Sequence, residues 1–278
     1  MGGAGEPAAR WRAELAAWAI PDAILDAAPE SPYGFPVGMF TADPADDDPA
    51  EDPSRRHALA ALADGGSVLD IGCGGGRASM ALVPPAGSLV GVDSSPAMLA
   101  AYAAAAAQRG VGHREIAGSW PQVAAEAGTA DVVLAHHVFY NVADLPAFAA
   151  ALTAAARRRV VVELTACHPW VSTNNLWMRF HGLARPAGPT AALAVEVLRD
   201  MGLTVSVESW QRPGRRTERT QLVAFVRRRL CLPASADPAV DAALPADYQF
   251  AARDVTTLWW EAPLVGRHSV VTSSSPSP

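Results

Sequence analysis

The chain has no lysine. All 22 of its Lys and Arg residues are arginine, set against 28 Asp and Glu, for a net charge of −6. A mildly acidic chain lacks the cationic surface that sequence-independent nucleic-acid binding requires. Only three local clusters, Arg157–Arg159, Arg212–Arg219 and Arg227–Arg229, keep RNA or phosphate in view. Cysteine is scarce as well. Cys73, Cys167 and Cys231 are odd in number and far apart, which fits neither a disulfide framework nor a zinc pattern. His168 and His181 also match no metal spacing, so no metal is expected. Long apolar runs are missing too. The longest alanine-rich stretch, Ala100 to Ala107, is too short to span a bilayer. The first residues lack the basic start and apolar run of a signal peptide. The expectation is a cytoplasmic protein with no membrane partner.

What is present is a globular composition, 50% hydrophobic and 18% charged over 278 residues. Aromatics make up only 7% of the chain, yet they gather in two places. Trp11, Trp18, Tyr33, Phe35 and Phe40 lie near the start. Trp170, Trp177 and Phe180 lie in the stretch after residue 165, beside Arg179 and His181. The segment "TADPADDDPAEDP" reads as a solvated acidic linker, with an acidic metal site as its alternative. From Ser54 the pattern becomes regular. Strands are expected at Ser67–Ile71, Ser88–Val92, Val111–Ile116, Asp131–Ala135, Val160–Leu164, Leu203–Trp210 and Gln221–Leu232. Helices are expected at Arg55–Ala63, Arg77–Leu82, Ala97–Arg109, Leu145–Arg157 and Thr190–Met201. A long loop is expected over Thr165–Pro189. Short β-rich runs alternating with helical segments imply βαβ crossovers and a mostly parallel sheet with helices on both faces.

The densest signal is "SVLDIGCGGGRASMAL", from Ser67 to Leu82. An apolar strand ends there and must turn tightly into a helix. Ligands of open α/β sheets bind at the carboxyl ends of the strands, and glycine lets backbone approach them closely. A dinucleotide fingerprint of the form G-x-G-x-x-G fails, because its sixth position is Arg77 or Ser79. What fits is D-x-G-x-G-x-G, through Asp70, Gly72, Gly74 and Gly76. A second strand, "GSLVGVD", ends in Asp93, where a carboxylate can accept both hydroxyls of a ribose.

These stretches, with "VDSSPAML" and the region from "REIAGSW" to "AHHVFYNVADL", resemble the class I S-adenosylmethionine-dependent methyltransferases of the type 11-like small-molecule group. The resemblance covers roughly residues 55 to 210. It implies an α/β fold with a Rossmann-like seven-stranded, mostly parallel sheet flanked by helices. It implies S-adenosylmethionine as cofactor, held by Asp70, Gly72, Cys73, Gly74, Gly76, Asp93, Ser94, Met98, Ser119, Trp120 and His136. The family's glycine-aspartate loop reads Gly118-Ser119 here, so Ser119 or backbone would meet the adenine amino group, with Trp120 on the ring. Asp70 would hold the ammonium end or the loop.

The remaining expectations concern the acceptor. His136 and His137 follow a strand end, and Glu163 and His168 lie near the next, so these four are the candidates for proton removal. Tyr33, Phe35, Tyr140, Asn141, Trp170, Trp177, Arg179 and His181 are candidates for acceptor binding. Asn141 as a helix cap, and half of the aromatics as core, are the plainer alternatives. The expected domains are a lid at 1–54, a methyltransferase core at 55–232 and a C-terminal extension at 233–278 with a disordered tail. The expected partner is a small, partly apolar or aromatic molecule, with the protein a monomer or homodimer. A non-catalytic cofactor-binding protein of the same fold, or an RNA or protein methyltransferase, are the competing readings.

Overall fold

The computed structural model describes residues 5–34, 52–214, 218–246, 248 and 252–263. One sheet runs through it: β1 (Ser67–Ile71), β2 (Ser88–Asp93), β3 (Gly112–Ala117), β4 (Ala130–His136), β5 (Ala156–Thr165), β6 (Ser206–Arg212) and β7 (Arg253–Glu261). The spatial order is β3-β2-β1-β4-β5-β7-β6. Every pairing is parallel except those of β7, which runs antiparallel to β5 and β6. This is a Rossmann-like seven-stranded, mostly parallel sheet flanked by helices. The helices are α1 (Glu6–Ala16), α2 (Asp22–Asp26), α3 (Pro53–Ala61), α4 (Arg77–Met80), α5 (Pro96–Gln108) and α6 (Ala124–Ala127), then α7 (Leu145–Ala155), α8 (Asn174–His181), α9 (Ala191–Asp200), α10 (Arg219–Arg229) and α11 (Asp237–Ala243).

The central strands are mostly apolar because both of their faces are covered. On one face Leu69, Ile71, Val133, Val160, Val162 and Leu164 join Trp11, Phe148, Leu152 and Leu198 from α1, α7 and α9. On the other, Val68, Leu89, Val132, Leu134 and Val161 meet Ala58, Met80, Leu99 and Tyr102 from α3, α4 and α5. A third apolar cluster stands apart from both. It joins Leu176 and Trp177 of α8 to Leu222, Val226, Leu230 and Val240 around α10 and α11, with Ile24 and Leu25 of α2 beside them. We call this group the cap. Strand order reverses at β1 and β4, and their carboxyl ends form the crevice where such sheets bind ligands.

Several expectations are corrected. Gln221–Leu232 is not a strand. Leu222, Val223, Val226 and Leu230 recur at helical spacing and are all buried, so the segment is α10. Arg227–Arg229 occupy its last turn, where positive charge offsets the helix dipole. The seventh strand is β7, inside the segment expected as an extension. It places the sheet's boundary beyond residue 232. Arg157–Arg159 do not end a helix but open β5. Arg157 reaches Asp131, and Arg159 the His57 carbonyl and Glu261. The stretch 165–189 is not structureless, since α8 lies within it. Arg212 ends β6 and Arg219 opens α10.

The first residues pack as structure. Trp11 is fully buried, stacks on Tyr140 at 5.7 Å and donates Nε1–H to the Val142 carbonyl at 2.8 Å. Phe35, Phe40, the acidic linker over 41–51 and the tail beyond 263 lie outside the described residues.

Candidate functional site

The glycine loop opens at the end of β1 and is pinned to β2. The amides of Gly72 and Cys73 both donate to the Val92 carbonyl, at 2.8 and 3.0 Å. Gly72, Gly74 and Gly76 have φ of 70°, 51° and 86°, a left-handed backbone that glycine adopts without strain. At Gly72 space matters too, because a Cβ there would lie 2.5 Å from Val138 Cγ2. The loop therefore touches the turn that follows β4.

Asp93 faces this loop. Its Oδ2 accepts from the Gly74 amide at 3.0 Å and its Oδ1 from the Ser95 amide at 2.9 Å. Each carboxylate oxygen has two lone pairs, so both retain one for a vicinal diol. That donor set fits an adenosyl ribose. Ser94 is exposed beside it, and Met98 is buried in the first turn of α5. Ser119 is exposed on the next loop.

Asp70 and Trp120 make contacts within the fold. Asp70 is 1% exposed and accepts from Ser79 Oγ at 2.8 Å, so of its two expected roles it takes the one that holds the loop, tying it to α4. Burial pushes its carboxyl up to about 7. Trp120 belongs to the core beside α7, with Nε1 donating to the Phe148 carbonyl at 3.4 Å, and is no free adenine platform. Cys73 is buried against Gly91 and Tyr102, and burial raises its thiol well above the usual range.

A second constellation lies at the carboxyl ends of β4, β5 and β6. His136 and Glu163 are register partners, with their side chains on the α3 face. Glu163 is 1% exposed and carries several bonds. Ser54 donates to it at 2.6 Å, and Arg212 Nη2 donates to both of its oxygens at 2.8 Å. His137 Nε2 lies 2.9 Å from Glu163 Oε1. Burial alone would raise this carboxyl. The His137 hydrogen bond and the charges of His136, His137 and Arg212 outweigh burial and hold it well below the usual range. Arg212 also pairs with Asp52 at 3.0 Å. His137 sits at φ 59°, an uncommon left-handed position for a non-glycine residue. Its amide donates to the Glu163 carbonyl at 2.7 Å, and its side chain is 40% exposed. His136 Nε2 is buried without a hydrogen-bond partner, and burial lowers its pKa.

The remaining candidates divide. Tyr33, Asn141, His168, Trp170 and Trp177 line one cavity of about 280 Å³, together with Trp18, Arg185 and Arg229. Tyr33 is 61% exposed, so it forms a rim. Asn141 does not cap α7, because Asp144 does, accepting from the Ala147 amide at 3.3 Å. Tyr140 is buried, donating to the Thr165 carbonyl at 2.7 Å, and burial raises its hydroxyl. His181 is tied to the Leu230 carbonyl at 2.6 Å, and Arg179 sits over Phe180 on the outside of α8. Neither lines the cavity. Sequence reasoning missed Arg212, Asp52 and Ser54 around Glu163, and Arg185 and Arg229 in the cavity. Their partners are distant in sequence, and no local pattern marks them. Among the described residues no group of three or more His, Cys, Asp or Glu could hold a metal, and no helix is long and apolar enough to cross a membrane.

The family described as a methyltransferase domain matches residues 68–159, the stretch holding the glycine loop, Asp93 and His136–His137. That match covers 92 of the 278 residues. The chain is 38% identical over 107 residues to a ubiquinone biosynthesis O-methyltransferase of Methylobacterium nodulans, covering 38% of this chain and 41% of that one. It is 40% identical over 90 residues to a nocamycin O-methyltransferase of Saccharothrix syringae, covering 31% of this chain and 32% of that one. The match thus spans less than half the length of either relative. A solved structure described for the conversion of a disulfide bond into a thioacetal group during echinomycin biosynthesis superposes with a TM-score of 0.53. It is 17% identical and covers 88% of this chain and 92% of its own, a likeness of fold alone. The methyltransferase domain accounts for β1 to the start of β5. The cap and the α1–α2 segment lie outside it.

Proposed function

We propose that the protein transfers a methyl group from S-adenosylmethionine to an oxygen of a small, partly aromatic molecule. The observation that carries this reading is Asp93, anchored by the Gly74 and Ser95 amides at the end of β2 and opposite the glycine loop. A bound S-adenosylmethionine would supply an electrophilic methyl group on a sulfonium. The chain supplies the rest. Asp93 would accept hydrogen bonds from the ribose hydroxyls, and the loop over Gly72–Gly76 would bring backbone close to the methionine part. Met98 and Ser119 would flank the adenine. His137 accepts the proton of the acceptor hydroxyl through Nδ1, because its Nε2–H is directed to Glu163 Oε1. Arg212 and Ser54 hold Glu163 and so position the imidazole. The aromatic cavity beyond Asn141 receives the acceptor and excludes water.

The two O-methyltransferase relatives support this reading over a non-catalytic one. An RNA acceptor would compete with carboxylates for three of its arginines. Arg212, Arg219 and Arg227 are engaged with Glu163, Asp241 and Glu30, while Arg215 and Arg216 lie outside the described residues. Calorimetric titration with S-adenosylhomocysteine tests the reading. The full chain should bind it, and Asp93→Ala should weaken binding about 10- to 100-fold, the value of one or two hydrogen bonds to a charged group. No binding by the full chain, or no change in Asp93→Ala, would overturn it.

A further inference from the structure

The cavity beside Asn141 is walled by the indoles of Trp18, Trp170 and Trp177 and measures about 280 Å³. That is just below the ~300 Å³ at which pockets for drug-sized ligands begin, so it suits one or two rings. Its two arginines are held by the fold. Arg185 donates through Nη1 to the Ala19 carbonyl at 3.0 Å and through Nη2 to the Trp18 carbonyl, and its Nε is buried. Arg229 lies over the Trp170 ring at 4.4 Å and the Phe225 ring at 5.5 Å. The neutral polar groups of the wall are Tyr33, Asn141 and His168. Tyr33 and Asn141 are exposed, and His168 is buried.

His168 is fixed from several directions. Its ring stacks on Trp18 at 3.9 Å with 18° between the planes, and meets the Tyr140 ring edge to face at 5.3 Å. Its Nδ1 accepts from the Trp170 amide at 3.3 Å. That bond leaves the ring proton on Nε2, as a donor. Nε2 has no hydrogen-bond partner among the described residues. Burial, then Arg185, lowers the pKa of the ring to about 4, so it stays neutral near pH 7.

The stacking also sets the direction of this donor. An N–H lies in the plane of its own ring, and this ring is nearly parallel to the Trp18 indole. A flat molecule stacked on the indole beside His168 lies in the same layer. The N–H then meets the edge of that molecule and not its face. The atom it meets must hold lone pairs in the molecular plane. A conjugated carbonyl oxygen does so, because hydrogen bonds to it lie near the plane of the C=O and its substituents.

We infer that this cavity binds a flat aromatic ketone of one or two rings, its ring against the Trp18 indole and its carbonyl oxygen accepting from His168 Nε2–H. This rests on the methyltransferase reading for its further meaning, that a hydroxylated ketone of this kind is the methyl acceptor. The link is physical. Val138 packs on Gly72 of the glycine loop, and Asn141, three residues on, lines the cavity.

The test uses two probes of one skeleton, 1-indanone and indane, which differ by a single carbonyl. Each is titrated into the full chain and followed by tryptophan fluorescence. His168→Phe keeps a ring against Trp18 and removes the donor. It should shift the ratio of the two affinities toward indane by about tenfold, the value of one hydrogen bond whose acceptor is left unmet. His168→Gln keeps an N–H donor and an acceptor for the Trp170 amide, and should hold the ratio within about threefold of the parent. The parent chain carries the test should the variants not fold. The carbonyl stretch of bound indanone, read by infrared difference spectroscopy, should lie below its position in hexane. No binding of indanone, an unshifted stretch, or an unchanged ratio in His168→Phe overturns the inference. S-adenosylhomocysteine titration is the separate readout. If that compound fails to bind while the ratio shifts in His168→Phe, the methyltransferase reading falls and the ketone site is upheld.

Discussion

The sheet edge and the cap bury their apolar residues by different means. At the edge, β1, β2 and β4 are parallel, covered on both faces, and end together at the glycine loop and Asp93. Their placement is set by backbone ladders, and the polar groups there are satisfied within one or two residues of a strand end. The cap has no sheet. Its α2, α8, α10 and α11 come from three separated parts of the chain and meet through Leu176, Leu222, Val226, Leu230 and Val240. Its polar groups include arginines that reach distant carbonyls, carboxylates and aromatic faces. In the proposed reading the edge holds the cofactor and the cap shapes the acceptor, and the match to a methyltransferase domain ends at residue 159.

The N-terminal helix belongs to the sheet side of this division, and the largest expected effect tests that. Trp11→Ala should destabilise the whole protein by about 3–5 kcal/mol, the usual cost of truncating a buried aromatic. Denaturant unfolding measures it, and a loss under about 1 kcal/mol would move α1 to the cap's side. Next comes Arg212→Met, which leaves Glu163 buried with one cation fewer. It should cost about 3 kcal/mol at neutral pH by the same measurement, since breaking a buried pair strands the remaining charge. The loss should shrink as Glu163 is protonated at low pH. A neutral effect at every pH would mean that Ser54 and His137 suffice to hold Glu163.

The smallest effect is in pH dependence. Asp70 has a folded pKa of about 7, above its ordinary value. The folded chain therefore keeps a proton that the unfolded chain has lost, and this group's contribution to stability falls as pH rises from about 4 to about 7. Asp70→Asn should remove that slope, a difference of about 2 kcal/mol between roughly pH 5 and 7 against the parent chain. An unchanged slope would place the pH dependence elsewhere.

The same division explains what could be read from the sequence. Strands β1, β2 and β4 were legible because strands buried on both faces are largely apolar runs, and because the glycines and Asp93 sit at the ends of β1 and β2. The α10 segment misled because "LVAFV" is apolar enough for either a strand or a helix. Its helical spacing shows only when Leu230 is counted with Leu222, Val223 and Val226. Strand β7 was missed because it pairs antiparallel with β5, about a hundred residues earlier, and no crossover helix announces it. Asp70 matched a motif position, yet its side chain turns to Ser79. Arg212 and Glu163 are 49 residues apart, and Arg185 meets Trp18 across 167, so neither contact leaves a local trace.

Hydrogen–deuterium exchange with and without S-adenosylhomocysteine tests the central claim most directly, since it reads both regions in one sample. Amides over 72–76 and 93–98 should exchange more slowly when the compound is bound, while those over 219–243 stay unchanged. Slowing confined to 219–243, or no change at the glycine loop, would contradict the assignment of the sheet edge as the cofactor site.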